Sequence, residues 1–466
     1  MGSAEHYGNF APCSQGVALN AHFITLLVPA WSGRLDLQRE QERIRLRASN
    51  ENGPVYAHRS MGSSDTCCVG GAKRYMEEVE SRGWADVGTT VCSGCVSDYA
   101  LARAIETRGG TDRCDYCRSM PRPPESSAPI EDLLESIVDG FRCEYEDPIE
   151  QGLWSSADGG YQIPYSDTED LLGNHEVSEN GDLLSDLVRA IHQDAWAQRD
   201  PYAASPTAAL RWGWESFRKY VKHSRRYTFL ARDRTSGHGA GEITMDGVPS
   251  AVATAVEMAG QVRVLEAHTR FWRVRPHPVS ESYRKASEIG TPPDAVAKDN
   301  RMSPKGMGAF YGSSTEVGAR AEVAGYADST HCGTFGQFEL LRDISVVDLT
   351  ETHHVPSLFD AAERHRRPAV TFMRDFVRDV TKVADPSDWQ NLEYIPTQVI
   401  AEYLRYELTG PAGPVAGILW RSSKDPSVLN CVIFASNEEM ADQGSASSAS
   451  LLALDPSTVG VMDAPL

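Results

Sequence analysis

Between Asn300 and Val323 the chain reads NRMSPKGMGAFYGSSTEVGARAEV, which places Arg301, Tyr311 and Glu322 within one supersecondary unit. A strand-like AFYG lies between a Pro/Gly-rich loop and a short amphipathic segment. Together the three side chains can hold an anion, stack on a flat ring and steady a developing positive charge. The SPKG loop lacks the Gly-x4-Gly-Lys-Ser/Thr spacing of a phosphate loop, and its lysine precedes the glycine.

A second constellation is metal-like. Of ten cysteines, four form Cys92-Ser-Gly-Cys95 and Cys114-Asp-Tyr-Cys117, separated by eighteen residues. Two such pairs can close a tetrahedron of thiolates around one Zn2+. Four thiolate ligands leave no position for water, so a structural ion is expected rather than a catalytic one. Cys67, Cys68 and Cys143 have no comparable spacing and read as bystanders.

The elements that must position these groups follow from periodicity. A helix is expected to end near Gly83, and YALARAIETRGG, inside the cysteine spacer, reads as a helix stopped by a Gly pair. PRPPESSA, residues 121–128, is a linker, with Ser127 and Pro129 forming a helix start. Ile130, Leu133, Leu134, Ile137 and Phe141 then recur at helical spacing, as do Leu183, Leu184, Leu187, Val188 and Ile191. The Gly/Ser/Asp/Glu-rich stretch from Gln151 to Asn180 reads as a long surface connection. In ALRWGWESFRKYVKHSRRYTFL, Leu210, Trp214, Phe217 and Val221 form one apolar stripe. Arg218 and His223 make an Arg-x4-His pair similar to the catalytic motif of HEPN ribonucleases. Five residues at 100° each put them about 140° apart, however, so a solvated basic face is the better reading. From about Val262 short strands mix with helices without regular alternation, which predicts an α+β domain. The SASSAS-containing end reads as a loose tail.

The totals bound the function. With 466 residues and 41% hydrophobic content the chain can build two or three cores, and a formal charge of −20 argues against nucleic acid or an anionic membrane as partner. FITLLVPAW, Phe23–Trp31, is too short to span a bilayer and lacks a basic flank. Paired Cys-x-x-Cys motifs fit a reducing compartment, so a soluble, cytoplasmic protein is expected.

These residues carry a resemblance to the RES domain, the family named for an arginine, a glutamate and a serine. The matching features, in family order, are FWRVRP with Arg273, NRMSPKGMGAFYG with Arg301 and Tyr311, ARAEV with Glu322, SVVDLT, YIPTQVIAEYL, and GILWRSS with Ser422 ahead of NCVIF. Gly318 and Ser313 stand where the family more often has Thr and Ala. The region from Met61 to Phe229, with its paired Cys-x-x-Cys, resembles the HEPN/RES N-terminal region that accompanies one subset.

The resemblance implies an α+β, mixed-sheet fold similar to ADP-ribosyltransferases, behind a zinc-binding and helical amino-terminal region. The divisions expected are an extension over 1–60 (Met61 would make a plausible start), a four-cysteine zinc module over 61–125, a helical region over 126–261, the RES domain over 262–440 and a flexible tail over 441–466. It implies an NAD-degrading toxin or defence effector, acting as glycohydrolase or phosphorylase, with Arg273, Tyr311, Glu322 and Ser422 as catalytic residues and Arg301 and Arg275 holding the substrate. A protein ADP-ribosyltransferase is one alternative; a zinc-containing RNA-binding protein or HEPN-type ribonuclease is another. NAD is the implied substrate, and an antitoxin or regulatory protein and a second copy of the chain are the partners it admits.

Overall fold

Residues 67–462, apart from 153, 156, 158, 231–238, 240, 324–330 and 383–391, are described by a computed structural model. The expected extension over 1–60 lies outside them. The chain divides into units Met1–Ala72 and Lys73–Leu466, and apart from the start of the first helix every feature discussed below lies in the second.

Two short strands organise the amino-terminal part. Helix α1 (Cys67–Arg82) stops at Gly83, whose φ is +88°, and β1 (Thr90–Cys92) then pairs antiparallel with β2 (Ser127–Pro129). Between them lies α2 (Tyr99–Arg108), capped by the Asp98 carboxylate and ended by Gly109 at φ +68°, the stop that its sequence predicts. Ser127 does not cap a helix: it sits in β2 with a buried hydroxyl, and α3 (Ile130–Glu144) follows Pro129 with no side-chain cap. Ladder pairing to β1 outcompetes local capping there. The apolar stripe of α3 is fully buried in one core with α2 and with α4 (Gly181–Ala190).

The stretch from Gln151 to Asn180 is not a surface connection throughout. Leu171, Leu172 and Val177 enter this core, and the buried indole of Trp196 donates to the Thr168 hydroxyl at 2.9 Å. Those few apolar residues are diluted by polar neighbours in the sequence, which hides the burial from composition.

Helix α5 (Pro206–His223) buries Trp214, Phe217 and Val221, but in a different core. There they pack with α6 (Val248–Met258), α8 (Arg367–Thr381) and α9 (Tyr394–Glu407) under one face of the main sheet. That sheet contains β3 (Val262–Leu265), β4 (Arg270–Pro278), β5 (Phe310–Ser313), β6 (His331–Leu340), β7 (Ile344–Asp348), β8 (Gly413–Arg421), β9 (Leu429–Ile433), β10 (Met440–Asp442) and β11 (Leu452–Met462). Their order is β10-β11-β6-β4-β5-β9-β8-β7-β3, with Thr409–Gly410 added beside β8. The β7–β8 and β10–β11 pairs are parallel and the rest antiparallel, so the sheet is mixed.

The end of the chain is a correction to the expected flexible tail. β11 pairs with β6 along Gly333–Leu340, and Leu452 and Leu454 are fully buried. The polar SASSAS run is only the turn before a long strand whose apolar face closes a third core, on the other side of the sheet.

Candidate active site and cysteine centre

Strand pairing decides which candidates meet. Ser313 of β5 lies opposite Asn430 of β9 and opposite Trp272 of β4, so these three side chains share one face of the sheet. Tyr311, two residues from Ser313, and Ser422, two beyond the Trp420 that pairs with Asn430, belong to the same face. Helix α7 (Glu316–Val323) lies over it and brings Glu322 down. A Cβ on Gly318 would come within 2.5 Å of Val428 and 2.7 Å of the Ser313 hydroxyl, so this close approach needs glycine.

There Glu322 is anchored by one oxygen. Its Oε1 accepts the Ser422 hydroxyl at 2.6 Å and the Asn430 amide at 2.9 Å. The Ser313 hydroxyl in turn donates to the Asn430 oxygen at 2.9 Å. Among the described residues no donor reaches Oε2. Ser313, Asn430 and Ser422 are 1%, 4% and 4% exposed, so this is a buried network with its polar groups paired. Sequence reading found Glu322 and Ser422 but missed Asn430, and it noted Ser313 only as a departure from the family pattern. The two positions that depart from the family pattern in fact touch each other.

Tyr311 is half-buried on this face, its ring against the helical core and its hydroxyl at 3.2 Å from the Met302 N–H and 3.0 Å from the Ser303 hydroxyl. Burial pushes its phenol up to about 12. Arg301 belongs to the same loop. Its guanidinium donates to the Val380 carbonyl at 2.6 Å, near the end of α8, where a cation also meets the negative end of the helix dipole.

Arg273 and Arg275 are not brought to Glu322. Alternation along β4 turns both away from Trp272, to the side where Phe271 is buried. β4 and β5 share a single register pair, and Arg273 fills the split beyond it, donating to the carbonyls of Ile289 and Tyr311, each at 2.8 Å. Burial, with the nearby Arg275 charge, lowers its guanidinium to about 9. Arg273→Met strips two buried carbonyls of a charged donor. It is expected to cost about 2–4 kcal/mol in urea unfolding, where a purely ligand-binding arginine would leave stability unchanged. Arg275 is half-buried, its guanidinium pulled down by burial, with no hydrogen-bond or ion-pair partner among the described residues.

Arg218 and His223 do not form a site. Arg218 is held by Asp379 at 2.9 Å and Glu393 at 3.3 Å, while His223 is exposed at the end of α5.

The four cysteines do converge. Their sulfurs all lie within 4.8 Å of one another, with Cys92 at 3.6 Å from Cys95 and from Cys117, and Cys95 at 3.8 Å from Cys114. A tetrahedron with bonds of about 2.3 Å has edges of about 3.8 Å, so the set fits a four-coordinate metal. The supporting shell is in place: Asp115 accepts the Thr90 N–H at 2.7 Å, and Tyr116 links Thr89 to Asp186.

Two protein families match parts of the chain. Residues 270–455 match the RES domain. The chain carries a RES domain. Residues 107–235 match HEPN/RES N-terminal domain 1, so the suspected combination of the two is present. The RES family is associated with NAD-related toxin activity. Neither a curated protein nor a solved structure matches the chain. No helix among the described residues is long and apolar enough to cross a membrane.

Proposed function

We propose that this RES domain is an NAD-degrading enzyme, a glycohydrolase or phosphorylase, that acts as a toxin or defence effector. The observation that carries the reading is Glu322: a carboxylate pinned through Oε1 on the sheet face that also holds Tyr311, with no donor to Oε2 among the described residues. When the nicotinamide–ribose bond breaks, its electron pair goes to the ring nitrogen and nicotinamide leaves neutral. The ribose carbon becomes positively charged, and an oriented carboxylate lowers the energy of that state. Water, losing a proton, or inorganic phosphate then bonds to the same carbon. Tyr311 offers a ring for the nicotinamide, and Ser422 holds Glu322 in place.

The diphosphate needs a guanidinium. Arg273 is committed to backbone carbonyls and Arg275 lies with it on the other face of the sheet, whereas Arg301 flanks Tyr311 on the Glu322 side. Arg301→Ala is therefore expected to raise KM for NAD about tenfold or more with kcat little changed, the loss of a charge-assisted contact made in ground and transition state alike. Steady-state kinetics check this.

In the same reading the four thiolates hold one structural Zn2+, and the amino-terminal region restrains the enzyme or docks a partner. Product analysis tests the activity. With NAD alone a glycohydrolase gives ADP-ribose, and a phosphorylase gives nicotinamide only when phosphate is present. Label transferred from NAD to a macromolecule would point instead to an ADP-ribosyltransferase. NAD recovered intact under every condition would overturn the proposal.

A further inference from the structure

We infer that Asn430, with Ser313 behind it, is a positioning residue for Glu322, an inference that rests on the NAD-cleaving reading above. The polarity of the hydrogen bonds at Glu322 follows from its carboxylate, which can only accept. Asn430 therefore turns Nδ2 toward Glu322, to whose Oε1 it donates at 2.9 Å, and its Oδ1 toward the Ser313 hydroxyl, which donates to it at 2.9 Å and also lies 3.4 Å from the Leu429 carbonyl. The Ser422 oxygen accepts the Lys424 N–H at 3.2 Å, which directs the Ser422 proton to the same Oε1, 2.6 Å away. Two donors thus converge on one carboxylate oxygen, and rotating the carboxylate about its terminal bond would break both bonds together. The frame is stiff because Ser313 and Asn430 are direct partners in the β5–β9 ladder. This network aims Oε2 at the reacting ribose carbon without itself touching substrate.

Charge separates this role from packing. Asn430→Asp is nearly isosteric and keeps the acceptor for Ser313, but it turns a carboxylate toward the Glu322 carboxylate in place of a donor. We expect kcat for nicotinamide release to fall about tenfold in Asn430→Ala and further in Asn430→Asp, with KM within about twofold in both. In the Glu322→Gln background, Asn430→Ala should add less than about twofold, because the two act as a unit. Asp milder than Ala, or losses that multiply independently, would overturn the inference. If the Asp variant does not fold, the Ala variant and the double-mutant cycle decide alone. If wild-type protein releases no nicotinamide, the NAD reading fails separately. The network is then decided by urea unfolding: Asn430→Ala and Glu322→Ala should be coupled by about fivefold or more in the unfolding constant, and strict additivity would refute it.

Discussion

Glu322→Gln is expected to lower kcat for nicotinamide release about 100- to 1,000-fold, the usual cost of removing one preorganised electrostatic group from a transition state. Glutamine keeps an oxygen to accept from Ser422 and Asn430, so the melting temperature should stay within about 2 °C of wild type on the scale where 1 kcal/mol moves a domain by a few degrees. KM should change little, because the charge that Glu322 answers does not exist in the ground state. A variant retaining more than about a third of wild-type kcat would remove Glu322 from the chemistry.

The largest expected effect on stability comes from the metal. Cys92 and Cys114 are buried beside Val91, Leu101 and Ala128, which belong to the core shared by α2, α3 and α4. Burial, followed by the hydrogen bond with Cys117, pushes the Cys92 thiol up to about 11, and burial likewise raises Cys95. Without a cation these two are neutral at pH 7, so metal uptake releases protons and retention weakens as pH falls. Structural zinc supplies on the order of 10 kcal/mol in small domains, comparable with the whole stability of a typical fold at about 5–15 kcal/mol. Stripping by a chelator at pH 6, or Cys114→Ser, should therefore open β1 and α2 to protease and lower the melting temperature by more than about 10 °C. Elemental analysis should find one zinc per chain. An unchanged protease pattern with no zinc would contradict this.

What could be read from the sequence was mostly local. The four cysteines needed only two short spacings to be recognised, and α2 declared itself through the Gly pair that stops it, while its Asp98 cap emerged only in the structure. Glu322 and Ser422 were legible because family order carries residues a hundred positions apart into one motif, and the structure joins them at 2.6 Å. Ser313 and Asn430 gave no such signal, since a serine and an asparagine become partners only once β5 and β9 are in register. The side taken by Arg273 was hidden for a related reason. FWRVRP is buried on both faces, so its alternation does not reveal which face meets Glu322, and one register pair with β5 settles it. β11 escaped notice because the polar turn ahead of it resembles a tail, while its pairing partner β6 lies more than a hundred residues earlier.

The reaction itself is tested most directly by following free nicotinamide when folded, zinc-replete wild-type protein and Glu322→Gln are incubated with NAD, with and without phosphate. The expected result is release by the wild type in at least one of the two conditions and its loss, about 100-fold or more, in the variant. NAD left intact by the wild type, or equal release by the two proteins, would contradict it.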